Sequence, residues 1–224
     1  REGLRLVRTN FYGRELLHAC INGSSEMIGQ MATAITTFLF NIILMRLAGS
    51  DGVAAMTILF YGQFLFNAFY LGFSIGISPI VGYQYGAENR KELKSIYRIS
   101  FRFVSLSSVI IAFAAVYLST GIVTIFTDDP KTHALAVTGF GIFAYNFLFS
   151  GFNIASSGFF TALSDGKSSA IISFCRTLLF TVISLLVLPR FFGVNGAWLA
   201  IPVAEFVTLL LSIWMHRKYL YRFI

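Results

Sequence analysis

The sequence predicts an all-α membrane protein, a bundle of six transmembrane helices, and three observations support this fold class. Hydrophobic residues make up 56% of the 224 residues, and the mean hydropathy is +0.74. Charged residues make up only 12%, about half of the ~25% that is typical of soluble domains. Four long runs are almost free of charge, and each can hold one helix of the ~20 apolar residues that cross a bilayer. These runs cover residues 27–45, 52–87, 103–127 and 132–164.

Turn-forming residues and isolated charges set the boundaries of the expected spans. The turn 48–52 ends the first span, and Pro79 is expected to bend the second. Pro130 suits the first turn of the fourth helix. Two weaker spans, interrupted by Arg176 and by Glu205, complete the six. In chain order the expected spans cover residues 15–46, 52–85, 103–127, 130–164, 168–188 and 194–215.

Basic residues are concentrated in the loops on one side of this bundle, notably in a charged connector at 90–102. That side carries 13 Lys and Arg residues, whereas the other carries three beside three Asp residues. The positive-inside rule therefore predicts a multi-pass protein of the plasma (inner) membrane with both termini cytoplasmic. The net charge of +7 reflects this topology, and no basic, base-reading surface predicts a nucleic-acid partner. Residues 1–14 form a basic cytoplasmic lead-in of the kind that links two membrane bundles, and residues 15–224 form the six-helix unit.

One carboxylate, Glu26, lies inside the first predicted span. An ionisable side chain at that depth costs ~2.5–3.5 kcal/mol on insertion scales, so it usually faces a polar interior and has a function there. At 100° per residue the polar residues of this helix fall on one face with Glu26, within an arc of ~100°. We expect this polar stripe to line a cleft rather than lipid. Its other members are Asn22, Gln30, Thr33, Thr37 and Asn41.

The fourth span offers a sparser set of polar side chains, Asn146, Ser150 and Asn153, at three- and four-residue spacing. A carboxylate with neutral amide and hydroxyl oxygens suits Na⁺ or a bound proton. We therefore predict a cation-coupling site formed by Glu26, Asn146 and Asn153, with Na⁺ or H⁺ as the coupling ion and no other cofactor. The alternative is that Glu26 is protonated and only joins helices by hydrogen bonds.

The remaining intramembrane charges, Arg176 and Glu205, could pair across adjacent helices, and we favour a structural role for both. No enzyme site is predicted. The three histidines, His18, His133 and His216, lack metal-ligand spacing. Neither a phosphate-binding P-loop nor a nucleophile elbow is found.

Several motifs resemble those of the MATE (multidrug and toxin extrusion) transporters. The run from Asn22 to Met27 and the turn 47–55 (LAGSDGVAA) resemble helix seven of that family and its outer turn. The segment 79–89 (PIVGYQYGAEN) resembles the end of helix eight, and 192–198 (FGVNGAW) with Glu205 resembles the start of helix twelve in bacterial members. The resemblance covers essentially the whole chain.

The resemblance implies a twelve-helix transporter of two six-helix lobes, which exports organic cations in exchange for Na⁺ or H⁺. This chain matches the second lobe, helices 7–12, so the implied partners are the bilayer, an amino-terminal six-helix lobe absent from this chain, and a small organic cation. Glu26 matches the coupling glutamate that several members carry on helix seven. The second acid that those members carry on helix ten is missing here, since the corresponding region reads Asn146 to Asn153 without an acid.

Two other functions stay open. A lipid-linked saccharide flippase shares the architecture but handles an anionic substrate, so it should line its cleft with basic groups, and the spans offer only Arg176. A non-transporting membrane scaffold subunit would tolerate replacement of Glu26. The scarcity of basic groups in the spans disfavours the flippase, and the acid at Glu26 favours an ion-coupled transporter over a scaffold.

Overall fold

The computed structural model of the chain describes residues 12–219, and within that range the side chains of residues 15, 21–26 and 28 lie outside the description. The described range is helical apart from short turns, and it contains no strand. The α-helices are α1 (Gly13–Gly86), α2 (Arg90–Phe126), α3 (Pro130–Phe143), α4 (Phe147–Ala162), α5 (Gly166–Phe174), α6 (Phe180–Phe192) and α7 (Val194–Tyr219).

The long helix α1 is a hairpin of two arms that meet at Gly49. Gly49 has φ 65° and ψ −154°, a backbone conformation that essentially only glycine adopts. The rings of Phe40 and Phe60 lie edge to face with centroids 5.5 Å apart, although a straight helix would separate these residues by ~30 Å. The two arms, 13–48 and 50–86, therefore fold back on each other, which confirms the turn predicted at 48–52.

Six membrane crossings follow from this hairpin. Within the described residues five helical segments are long and apolar enough to span a bilayer, and the first, Gly29–Gly86, contains the Gly49 break. The other four are Arg90–Phe126, Pro130–Ala162, Gly166–Phe192 and Val194–Tyr219. The structure thus confirms the predicted all-α bundle. The charged segment 90–102, predicted as a connector, is itself helical and continuous with the third span.

Capping residues start the helices after the turns. Asn89 caps α2 by accepting a hydrogen bond from the backbone N–H of Glu92 at 3.2 Å. Asp129 caps α3 by accepting one from the backbone N–H of Thr132 at 2.7 Å, with Pro130 in the first turn as predicted. This hydrogen bond lowers the pKa of the exposed Asp129 carboxyl below its ordinary value. Each cap satisfies a backbone donor that the first helical turn leaves without a partner.

Two runs depart from regular α-helix inside the bilayer. The fourth span comprises α3 and α4, joined by a 3₁₀ turn at Ala144–Asn146. The fifth comprises α5 and α6, joined by a π-helical segment at Cys175–Leu179 that contains Arg176. Such π segments are rare and often accompany functional sites.

Large aromatic side chains fill the centre of the bundle. The main cluster joins both arms of α1 to α3, α4 and α7 around Trp198, Phe140 and Phe147. Glycines admit these rings, since a Cβ on Gly139 would lie 3.0 Å from Trp198, and one on Gly62 would lie 2.5 Å from Phe140. Because lipid tails are as apolar as these side chains, such close packing and interhelical hydrogen bonds hold the helices together in place of the hydrophobic effect.

Candidate functional site

The polar stripe of the first arm of α1 points away from the bundle core. Ala32, Thr36, Phe40 and Leu44 form the buried face of this arm. The described stripe members lie on other faces: three are exposed and one is half-buried. The exposed members are Gln30, Thr33 and Asn41, and the half-buried member is Thr37. The six-helix unit therefore leaves this polar surface uncovered.

Glu26 and Asn22, the remaining members of the predicted stripe, have side chains that lie outside the described residues. Their backbone belongs to α1. The hydroxyl of Thr33 donates to the carbonyl oxygen of Gly29 at 2.9 Å. The hydroxyl of Thr33 thus has its hydrogen-bond partner within the helix. The role of Glu26 as the coupling acid stays a prediction.

The amides of the fourth span are buried inside the bundle. Asn146, Ser150 and Asn153 each have no exposed surface. Asn146, in the 3₁₀ turn, donates to the carbonyl oxygen of Phe143 at 2.6 Å, and its side-chain oxygen has no partner among the described residues. Ser150 donates to the Oδ1 atom of Asn67 on the second arm of α1 at 3.2 Å.

Asn153 belongs to a buried ionic network that links three spans. Its Nδ2 atom donates to the carboxylate Oε2 of Glu205 at 2.7 Å and to the backbone oxygen of the same residue at 2.9 Å. The Nε atom of Arg176 donates to Oε1 of Glu205 at 2.7 Å. The hydroxyl of Ser212 completes the network by donating to Oδ1 of Asn153 at 3.0 Å. Each carboxylate oxygen of Glu205 therefore has a donor, as a buried ion pair requires.

The pairing of Arg176 with Glu205 agrees with the structural role that the sequence favoured. Counted from the ends of their spans, the two residues differ in depth by about four residues, or ~6 Å. An extended arginine side chain covers that difference. The side chains are 18% and 4% exposed respectively, so the carboxylate is the more deeply buried partner.

The network continues along α7 as a buried polar stripe that sequence reasoning missed. Glu205, Thr208, Ser212 and His216 follow each other at three- and four-residue spacing, and all four are buried. His216 contacts the hydroxyl of Ser156 on α4 at 2.8 Å. Helical periodicity applied to the sixth span could have found this stripe. It could not have found the partner helix, because spacing gives a face and not its neighbour.

The described residues contain no group of three His, Cys, Asp or Glu side chains that could hold a metal ion. The polar groups that the structure brings together in this network are the ion pair, Asn153, His216 and several hydroxyls. Asn153 contacts α7, and its described hydrogen bonds do not reach the stripe of α1. Of the predicted group of Glu26, Asn146 and Asn153, the structure thus describes the side chains of the two asparagines only.

Long apolar helices packed through aromatic and buried polar contacts define a multi-span membrane protein. The sequence model of the MatE family matches residues 27–186, more than two thirds of the chain. The chain therefore belongs to the MatE family. It is 25% identical over 174 residues to the probable multidrug resistance protein YoeA of Bacillus subtilis (strain 168). That match covers 78% of this chain and 34% of YoeA.

Solved structures share the fold. A multidrug resistance MATE family transporter of the MOP superfamily, in its outward-facing conformation, gives a TM-score of 0.88 at 18% identity over 97% of this chain and 49% of that one. The Vibrio cholerae MATE transporter VcmN in the bent form gives 0.85 at 17% identity, with 93% and 47% covered. A MOP superfamily transporter from Pyrococcus furiosus gives 0.85 at 18% identity, with 93% and 47% covered. The chain thus spans about half the length of these transporters and a third of YoeA.

Proposed function

We propose that this chain is the carboxy-terminal six-helix lobe of an efflux transporter that exchanges small organic cations for Na⁺ or H⁺. The observation that carries the proposal is the uncovered polar stripe on the first arm of α1. Exposed polar groups at membrane depth are costly against lipid. They are expected where one helical bundle faces another across a substrate site, as in transporters built from two repeats.

Glu26 is the proposed coupling group of this surface. Gln30, four residues after Glu26 in the sequence, is exposed, and residues at this spacing are expected to share one face of a helix. A carboxylate there can bind a proton or Na⁺ in one conformation and release it in the other. Membership in the MatE family and the likeness to a probable multidrug resistance protein support efflux as the direction of transport.

The charge distribution inside the bundle favours a cationic over an anionic substrate. A saccharide flippase of the same superfamily would need basic side chains facing its cleft. Arg176, the basic residue in the middle of a span, donates to the buried carboxylate of Glu205, so its charge is already compensated. This ion pair supports the cation antiporter over the flippase.

The proposed location is the plasma membrane with both termini cytoplasmic. The basic residues at the start of α2 and at the end of α7 support this orientation. The turn with Asp128 and Asp129 would then face outward. The non-transporting scaffold remains the rival from another class, and only a transport measurement separates it.

The test replaces Glu26 by Gln in the whole transporter and measures efflux of a cationic dye, driven by a Na⁺ gradient or by a pH gradient. Glu26→Gln keeps the size and removes the exchangeable charge, so the gradient-driven component should be lost while expression persists. Thr33→Val on the same stripe should have a milder effect. Glu92→Gln is the matched control, because it makes the same change on an exposed turn at the start of α2. Undiminished gradient-driven efflux by Glu26→Gln would remove Glu26 from the mechanism.

A further inference from the structure

Five basic side chains lie on one side of the first turns of α2, and we call them the basic face. At 100° per residue they fall within an arc of ~120°. All five are exposed, whereas Glu92, the acid of the same segment, lies outside the arc. The basic face consists of Arg90, Lys91, Lys94, Arg98 and Arg102.

The basic face has no acidic partner among the described residues, where the single ion pair joins Arg176 to Glu205. Leu93 and Ser100, on the other side of these turns, are buried against the bundle, and so is Phe101, near one edge of the arc. Helix α2 contacts α1, α3 and α4, and none of these contacts covers the five basic side chains. Their charge is therefore available to a ligand from outside the bundle.

The membrane boundary falls at one end of the basic face. From Phe103 onward α2 carries no charge to its end at Phe126, a length of ~36 Å, slightly more than the ~30 Å hydrocarbon core. Arg102 and Arg98 thus lie ~2 Å and ~8 Å outside Phe103, the first residue of the uncharged stretch, at the depth of the lipid headgroups. Arg90 lies ~18 Å farther out than Arg102 along the helix.

Apolar side chains next to the basic face mark the lipid-facing side of α2. Ile99 is 64% exposed and Phe103 is 46% exposed, and each follows an arginine of the basic face directly in the chain. A phospholipid can therefore place its tails against these two side chains while its phosphate meets Arg98 and Arg102. Guanidinium groups bind phosphate through two parallel hydrogen bonds, which a lysine cannot do.

We propose that the basic face is a binding site for the phosphate headgroups of anionic phospholipids, with Arg98 and Arg102 as the main contacts. Clusters of four to eight basic residues next to the cytoplasmic end of a span attract anionic lipid with about fivefold affinity per charge (~1 kcal/mol). The positive-inside rule requires basic residues on the cytoplasmic side but does not fix their positions along the segment. It does not require their alignment on one side of a helix beside lipid-facing apolar residues.

The experiment compares two variants that remove the same charge from the same helix. Arg98→Gln/Arg102→Gln acts at the membrane edge, and Arg90→Gln/Lys91→Gln acts ~10–18 Å farther out along the helix. The purified chain in neutral detergent is titrated with phosphatidylglycerol or phosphatidylcholine, and retained lipid is measured by native mass spectrometry. The wild type should prefer phosphatidylglycerol, and the edge variant should lose about 25-fold in affinity for it. The distant variant should lose less than fivefold.

Three further measurements distinguish a phospholipid site from loss of folding, from purely apolar lipid contact and from a site for free phosphate. Arg98→Lys/Arg102→Lys keeps the charge and should bind far better than the Gln pair. Raising KCl from 0.1 M to 1 M, which shortens the screening length from ~10 Å to ~3 Å, should weaken binding by the wild type. Millimolar inorganic phosphate should not displace the lipid. Equal loss in both Gln variants, salt-independent binding, or displacement by phosphate would each overturn the proposal.

Discussion

Breaking the Arg176–Glu205 ion pair should destabilise the bundle unequally, depending on which partner is removed. Arg176→Gln leaves the Glu205 carboxylate, which is 4% exposed, with Asn153 as its remaining donor. Glu205→Gln leaves a guanidinium group that is 18% exposed and is therefore less deeply buried than the carboxylate. The amide oxygen that replaces the carboxylate at position 205 can still accept a hydrogen bond from Asn153. An unpaired carboxylate at Glu205 is therefore more costly than an unpaired guanidinium group at Arg176.

The magnitude follows from the burial of each charge. Removing one partner of a buried ion pair costs ~3–5 kcal/mol, because the other charge remains without compensation. We expect Arg176→Gln to fall in this range, and Glu205→Gln to cost ~1–3 kcal/mol because the partner left behind is partly exposed. The double variant Arg176→Gln/Glu205→Gln leaves no charge, and its two amides can bond each other. It should cost less than the sum of the single changes.

Unfolding free energies from circular dichroism during SDS titration of the detergent-solubilised protein measure these differences. Arg190→Gln, an exposed arginine on the same span, is the matched control and should change stability by less than ~0.5 kcal/mol. A stability of Arg176→Gln within that margin of the wild type would refute the reasoning. So would a double variant whose cost equals the sum of the single costs.

Three other predictions address the turns and the topology. Gly49→Ala should destabilise the hairpin by ~1–3 kcal/mol in the same assay, because its backbone angles, φ 65° and ψ −154°, suit only glycine. The control Gly121→Ala should not destabilise the protein, because a Cβ at Gly121 would meet no atom within 4 Å. Asp129→Ala should lower the unfolding midpoint at neutral pH, since the folded state lowers the pKa of this carboxyl. The stabilisation by the ionised carboxyl of Asp129 is present above pH 3.8, the ordinary pKa of the group, and is lost as the pH falls through the lower pKa of the folded state. A loss of stability in Asp129→Ala that persists at lower pH would contradict this account. Single cysteines at Asp128 and Asn89 should react with an impermeant label from outside and from inside respectively, and the reverse pattern would overturn the topology.

The spans and turns could be predicted from the sequence because their causes are local. An uncharged run of ~20 residues specifies a span in a bilayer, and the turn at Gly49 and the cap at Asp129 depend on residues within one turn of helix. The sequence did not predict the helical start of α2, because the charges in residues 90–102 predict exposure to water and do not distinguish an exposed helix from a loop.

The buried network could be predicted only in part, because it depends on which helices are neighbours. The pairing of Arg176 with Glu205 was one of the possibilities, because it would compensate both charges, but the sequence alone does not show that the fifth and sixth spans bring the two side chains within reach. Nothing in the spacing of Asn153 distinguishes a partner on α7 from one on α1, since periodicity gives only the face of a helix. The π segment around Arg176 is a change in backbone hydrogen-bond register, for which no residue pattern was available.

The central claim is that the six helices present one half of a substrate site, with the polar stripe facing a second lobe. Its most direct test is gradient-driven dye efflux in proteoliposomes that contain this chain alone or together with the amino-terminal six-helix half of the transporter. With an imposed Na⁺ or proton gradient, the chain alone should catalyse no coupled exchange, and addition of the other half should restore it. Robust, gradient-dependent efflux by this chain alone would show that it works as a homodimer, and would contradict the proposed role as one lobe of two.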